Sequence, residues 1–270
     1  AAQGPGIPVS MALRYRASMS AYWRAVATTS EKDQLVYAPF GHGWSGRFTM
    51  RILKREWERR TAFASAQKES AETLYFQDAD GRIIELYDNS ASEADTWRFR
   101  FDSGHTLFSY GLQESFASII VRKYGNGYEV SGEASILVAR FDNQGQLIEL
   151  KLTNSSRPLT IAHGAGSMLI TVSSGRQCRL EMANGLVQRI IEPGNRATWQ
   201  MQYSDHNLVS VSNGSYRYEF DYHADSFQLV QLTEPGGIAT HVSHAATGAG
   251  NRYFSHTLSR IERAGAEYIF

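Results

Sequence analysis

The chain has 270 residues, enough for one large domain or two small ones with a real hydrophobic core. Lys+Arg and Asp+Glu both number 27, so the formal net charge is zero and no cationic excess calls for nucleic-acid phosphates or an anionic membrane surface. Charged residues make up 20% and aromatics 12%, with 14 Tyr and 13 Phe, a balance that favours strands over a helical bundle or a disordered tail.

The chain opens Ala1-Ala2-Gln3-Gly4-Pro5-Gly6, without an initiator Met or an apolar signal core, and the reading is of a processed or trimmed piece. Residues 1–53 form a lead-in. Within it Ile7-Pro8-Val9-Ser10 and Leu13-Arg14-Tyr15 read as apolar strand, and Phe40-Gly41-His42-Gly43-Trp44-Ser45-Gly46-Arg47-Phe48 is rich in glycine. Residues 54–73 carry good helix formers and little alternation. They are expected to be an irregular or helical insertion, although Trp57 and Phe63 suit distorted strands equally well.

Residues 74–270 read as hairpin repeats. A phrase of aromatic, Asp, turn residues, Gly and an apolar-alternating strand runs from Tyr75 to Leu86, with Asp80 and Gly81 at its turn. It returns at Phe101-Asp102-Ser103-Gly104-His105-Thr106-Leu107 and at Phe141-Asp142-Asn143-Gln144-Gly145-Gln146-Leu147. Looser copies begin at Tyr203 and Phe220, and Tyr124-Gly125-Asn126-Gly127-Tyr128 is a further hairpin signal. Val187, Leu208 and Leu229 open matching strands at a period of 21, and Glu192-Pro193-Gly194 recurs two periods later as Glu234-Pro235-Gly236, with Asn213-Gly214 between. Each unit therefore predicts turn, strand, turn, strand. Trp199, Met201 and Tyr203 share one strand face, as do Tyr216, Tyr218, Phe220 and Tyr222, with polar residues opposite. The chain ends on Ala266-Glu267-Tyr268-Ile269-Phe270, an apolar run that predicts further pairing in a longer parent chain.

The aromatic–Asp–x–x–Gly–x–Leu phrases, their spacing, and the Gly-x-Gly-Trp-Ser segment at Gly41, Gly43 and Trp44 resemble the RHS family of YD-repeat proteins, over most of residues 7–245. The resemblance implies an all-β fold of antiparallel hairpin repeats in an extended, curved sheet, part of a shell that encloses a toxic C-terminal domain until delivery. It assigns structural roles to Gly41, Gly43, Trp44, Asp80, Gly81, Asp102, Gly104, Asp142 and Gly145. No segment resembles the aspartyl self-cleavage motif that ends the family's core, which fits an N-terminal portion of the repeat region. The rival architecture is a β-propeller, because 42 residues could make one four-stranded blade.

Catalytic signals are sparse. Gly43-Trp44-Ser45-Gly46 lacks one residue of a nucleophile elbow. His241 and His244 are three apart, which in a strand points them to opposite faces rather than at one metal. Asp102 with His105, and Asp205 with His206, sit where the repeat turns. His163 with Gly164 and Gly166 opens no helix, so no phosphate cradle is expected. Cys178 is the single cysteine and reads as a buried or half-buried thiol; no internal disulfide or multi-cysteine zinc module is available.

The expectation is therefore a non-enzymatic structural segment without metal or cofactor. Its partners are the remaining repeats of a parent chain, a cargo or toxin domain, or secretion machinery, at a bacterial surface or outside the cell. No nucleic acid and no membrane span are expected. A hydrolase is the disfavoured enzymatic reading. The main alternative is a secreted carbohydrate-binding or adhesin module whose glycan contacts are the candidate aromatics Trp97, Trp199, Tyr218 and Tyr222.

Overall fold

A computed structural model describes residues 13–15, 37–60, 68–79, 81, 83–89, 93–99, 119–132, 137–152, 156–224, 228–246, 256–263 and 266–269. Asp80, Asp102, Gly104 and His105 lie outside these residues. The described chain is all-β and antiparallel, with two short 3-10 turns, Arg47–Thr49 and Pro193–Asn195, and no α-helix. No described helix is long and apolar enough to cross a membrane.

The strands in chain order are β1 (Arg14–Tyr15), β2 (Trp44–Ser45), β3 (Arg51–Arg60), β4 (Lys68–Gln77), β5 (Ile83–Asp88), β6 (Thr96–Phe99), β7 (Ile119–Tyr124), β8 (Gly127–Gly132), β9 (Leu137–Phe141), β10 (Leu147–Leu152) and β11 (Leu159–Gly164). They continue as β12 (Ser167–Thr171), β13 (Gln177–Ala183), β14 (Leu186–Ile191), β15 (Thr198–Ser204), β16 (Asn207–Ser212), β17 (Arg217–Tyr222), β18 (Leu229–Thr233), β19 (Ala239–Ala246), β20 (His256–Arg263) and β21 (Ala266–Ile269).

The chain divides into two compact units. The first holds Tyr37, β3 through β10 and the start of β11. Each of its strands pairs with the next in sequence, from β3 to β11. The helical expectation for 54–73 is corrected here: Arg51 to Arg60 pairs residue for residue with Gln77 to Lys68. Strand pairing supplies backbone partners for its described residues, 54–60 and 68–73, and that tertiary term overrides the helix propensity of their Lys, Arg and Glu residues.

The hairpin β9–β10 shows what the repeated phrase does. Asp142 Oδ1 accepts from the Gln144 and Gln146 amides at 2.9 and 2.7 Å. Gly145 takes φ 75°, its amide donates to the Asp142 carbonyl at 3.1 Å, and its carbonyl accepts from Ile52 N at 3.0 Å. A Cβ at Gly145 would stand 1.9 Å from the Ile52 carbonyl oxygen, so glycine is required both by conformation and by close approach. In the first copy Gly81 N donates to the carbonyl of Asp78, at 3.0 Å. Asp78 therefore occupies the place of Asp142, and Gln77 that of Phe141. Gln77 is buried and joins Tyr37 by two hydrogen bonds, its Nε2 donating to Tyr37 O at 2.7 Å and its Oε1 accepting from Tyr37 N at 3.0 Å.

The second unit holds β1, β2, residues 38–47 and the chain from Ile161 onward. From β12 to β21 consecutive strands pair without interruption. Separate four-stranded blades would break the pairing at every fourth strand, so the propeller alternative is set aside.

The 21-residue period proves to be the period of a β-bulge. Met182 pairs with Val187 and Glu181 with Arg189, leaving Gln188 extra. Tyr203 pairs with Leu208 and Gln202 with Ser210, leaving Val209 extra. Tyr222 pairs with Leu229 and Asp221 with Gln231, leaving Val230 extra. Val187, Leu208 and Leu229 each precede the extra residue, and all three are buried. Bulges fix register and add twist, so these three hairpins share the same local irregularity.

Two kinds of turn alternate. Asn184-Gly185 and Asp205-His206 make tight two-residue turns with both φ values positive, the primed geometry that matches strand twist. Glu192 to Asn195 and Glu234 to Gly237 make wider turns closed by an amide-to-carbonyl bond of 3.0 Å. This accounts for Asp205 and His206 as turn residues rather than an acid–base pair.

Candidate functional site

The glycine-rich lead-in lies along the bulged hairpins of the second unit and ties to each of them. Pro39 O accepts from Val187 N at 2.7 Å, and His42 N donates to His206 O at 2.9 Å. Trp44 Nε1 donates to the Tyr222 hydroxyl at 2.7 Å, and the Tyr15 hydroxyl accepts from Leu229 N at 2.9 Å. Gly41 and Gly43 take φ 89° and 76°, and a Cβ at Gly41 would stand 2.5 Å from His206 O. Both members of the motif are thus glycine for reasons of backbone placement. Ser45 is buried in β2, paired with Arg14, and is not on a strand-to-helix elbow.

Two tyrosines repeat one another. The Tyr203 hydroxyl donates to Val187 O at 2.7 Å, and the Tyr222 hydroxyl donates to Leu208 O at 2.8 Å. Burial raises the ionisation of both phenols well above the ordinary tyrosine value, which keeps them neutral donors. The His42 ring stacks on His206 at 5.6 Å and 17°. Burial, and then the neighbouring His206, lower the His42 pKa to about 4, against a hydrogen bond with Asn207 that raises it.

Beside this seam the second unit carries an aromatic cleft of about 550 Å³. Its floor is Cys178, Ile190, Met201 and Phe220, all buried, and half-buried Trp44, Trp199 and Tyr218 form its walls. Strand register explains the arrangement: Trp199 pairs with Ile190, while Met201 and Tyr218 flank Val211. Trp44 meets Phe220 edge-on at 4.8 Å, and Trp199 lies 6.5 Å from Tyr218 at a 38° tilt. Among the described residues Glu192 is the one charged residue lining the cleft; its Oε1 accepts from Trp199 Nε1 at 2.9 Å. Burial, and then the Glu192 carboxylate, push the Cys178 thiol up to about 11, so it is neutral at ordinary pH.

The four candidate glycan aromatics therefore separate. Trp199 and Tyr218 line the cleft. Tyr222 is engaged by Trp44 and Leu208. Trp97 belongs to the first unit, where it packs edge-on against Tyr128 at 5.8 Å. Sequence reasoning missed Glu192, which reads as a turn residue because Glu-Pro-Gly recurs at 234–236; the added signal is Trp199 at the start of the next strand. Among the described residues no group of three or more His, Cys, Asp or Glu side chains is placed to hold a metal. Compared with protein-family models and with curated protein sequences, the chain matches none.

Proposed function

We propose that the chain is a structural segment without catalytic function in a repeat protein of the RHS kind, a stretch of β-shell or scaffold that encloses or delivers a toxin or cargo domain. The observation that carries this reading is the coincidence of the sequence period with the bulge period, together with a tie from the lead-in to each of the three bulged hairpins, at Val187, at His206, and at Tyr222 with Leu229. A sheet that repeats the same irregularity at these hairpins and is cross-tied by a separate segment suits a wall, because each unit is stabilised by its neighbours and the number of units is open. The partners are further repeats, the cargo, and the machinery that exports them; the setting is a bacterial surface or the exterior.

The test is electron microscopy of the full parent chain together with limited proteolysis of its C-terminal region. A wall predicts density within a continuous β-layer and a C-terminal domain cleaved far more slowly than when expressed alone. Cleavage at the free-domain rate overturns the reading. The carbohydrate-binding alternative draws support from Trp199 and Tyr218, but a sugar needs several polar partners for its hydroxyls and the cleft is largely apolar.

A further inference from the structure

We infer that the cleft between Trp44, Trp199, Tyr218 and Phe220 binds an organic cation, an ammonium group carried on an apolar frame. The inference goes beyond the wall reading and does not depend on it. Four aromatic rings line the cleft, and ring faces attract a cation through their quadrupoles, most strongly when water is excluded. The remaining lining is mostly aliphatic, which suits the carbon shell of an alkylammonium and offers little to a strongly hydrated inorganic ion. The Glu192 carboxylate also lines the cleft, held by the Trp199 indole at 2.9 Å.

The state of that carboxylate decides the class of ligand. Among the described residues Glu192 makes no ion pair. Arg176, Arg179 and Arg196 line an adjoining groove that also reaches Glu192, yet none of them lies within ion-pair distance of it. A neutral apolar ligand would bury this charge with the indole hydrogen bond but no counter-ion, at a cost. A cation in the same space supplies the partner, so the cleft discriminates by charge as well as by shape. The chemistry admits two sources, a free quaternary ammonium compound or a lysine side chain of a polypeptide.

Isothermal titration of the chain with choline, with its neutral carbon isostere 3,3-dimethylbutan-1-ol, and with Nα-acetyl-lysine methylamide tests the inference. The better of the two cations is expected to bind at least about tenfold more tightly than the isostere. Tighter choline binding assigns a free ammonium compound, and tighter binding of the lysine derivative assigns a side chain; either supports the cation site. Glu192→Gln is expected to weaken the cation about tenfold and leave the isostere unchanged. Tyr218→Leu keeps apolar volume and removes a ring face, so it too weakens the cation selectively and serves if the first variant fails to fold. Equal binding of the isostere, cation affinity unchanged in the folded variants, or no heat at millimolar cation each overturns the inference.

Discussion

Trp44 donates its indole N–H to the Tyr222 hydroxyl at 2.7 Å, and that hydroxyl in turn donates a hydrogen bond to Leu208 O at 2.8 Å. One tyrosine thus joins the lead-in to the residue that precedes a bulge. The Tyr15 ring completes the cluster, 5.3 Å from Trp44 and 6.2 Å from Tyr222. Trp44→Phe keeps most of the ring contact and loses the donor, so it is expected to cost about 1 kcal/mol. Trp44→Ala also opens a void and is expected to cost about 3 kcal/mol. Tyr222→Phe removes both hydrogen bonds, and the Trp44→Phe/Tyr222→Phe pair is expected to be less than additive. Urea unfolding of the four variants measures this; full additivity would mean that the Trp44–Tyr222 bond contributes nothing.

The glycines separate by neighbourhood rather than by conformation. Gly145 and Gly175 share a positive φ, of 75° and 80°. A methyl group at Gly175 meets nothing within 4 Å, whereas at Gly145 it meets the Ile52 carbonyl at 1.9 Å. Gly175→Ala is therefore expected to cost about 1 kcal/mol from backbone strain alone. Gly145→Ala carries that cost plus displacement of β3, and is expected to lower thermal stability several times more. Equal melting temperatures for the two variants would contradict the close approach.

Particular residues show what the sequence reveals. Alternation at Trp199, Met201 and Tyr203 marks the buried face directly, because strand geometry is local. The period at Val187, Leu208 and Leu229 is legible too, but its cause is not: Gln188, Val209 and Val230 have nothing in common that announces an extra residue. Asp80 reads as the turn residue of the first copy, whereas the backbone bond falls on Asp78. With Gln77 in the aromatic position, the phrase is disguised. Residues 54–60 mislead because helix propensity belongs to each residue alone, whereas their strand state comes from pairing with Lys68 to Leu74. The cleft needs Trp44 brought to Phe220 across 176 positions, a contact that only the folded chain discloses.

Cys178 offers a reporter of that floor. It is buried, and its thiol is pushed up to about 11 by burial and then by the Glu192 carboxylate. A thiol-disulfide reagent at pH 8 is expected to label it no faster than the second unit opens, and at once in denaturant. A Glu192→Gln variant that stays folded is expected to label similarly, since burial is the larger cause. Rapid labelling of the native protein would show that the floor of the cleft is open to solvent.

Acid stability turns on His42. Burial first, and then His206, bring its pKa from an ordinary 6.5 to about 4 in the folded chain. The unfolded chain thus binds a proton below pH 6.5 that the folded chain refuses until about pH 4, so stability is complete above pH 6.5 and falls as the pH drops through that window. A shift of this size corresponds to about 3 kcal/mol lost by pH 4. Denaturant midpoints at pH 7, 5.5 and 4 are expected to fall in wild type. His42→Gln, which has no proton to take up, is expected to start lower at pH 7 because the stack on His206 is lost, and then to fall less steeply. The carboxylates of the chain titrate in both proteins, so the difference between the two slopes isolates His42. Parallel slopes would mean that the ring is protonated in the fold as readily as in the open chain, and that the seam along the hairpin turns admits water.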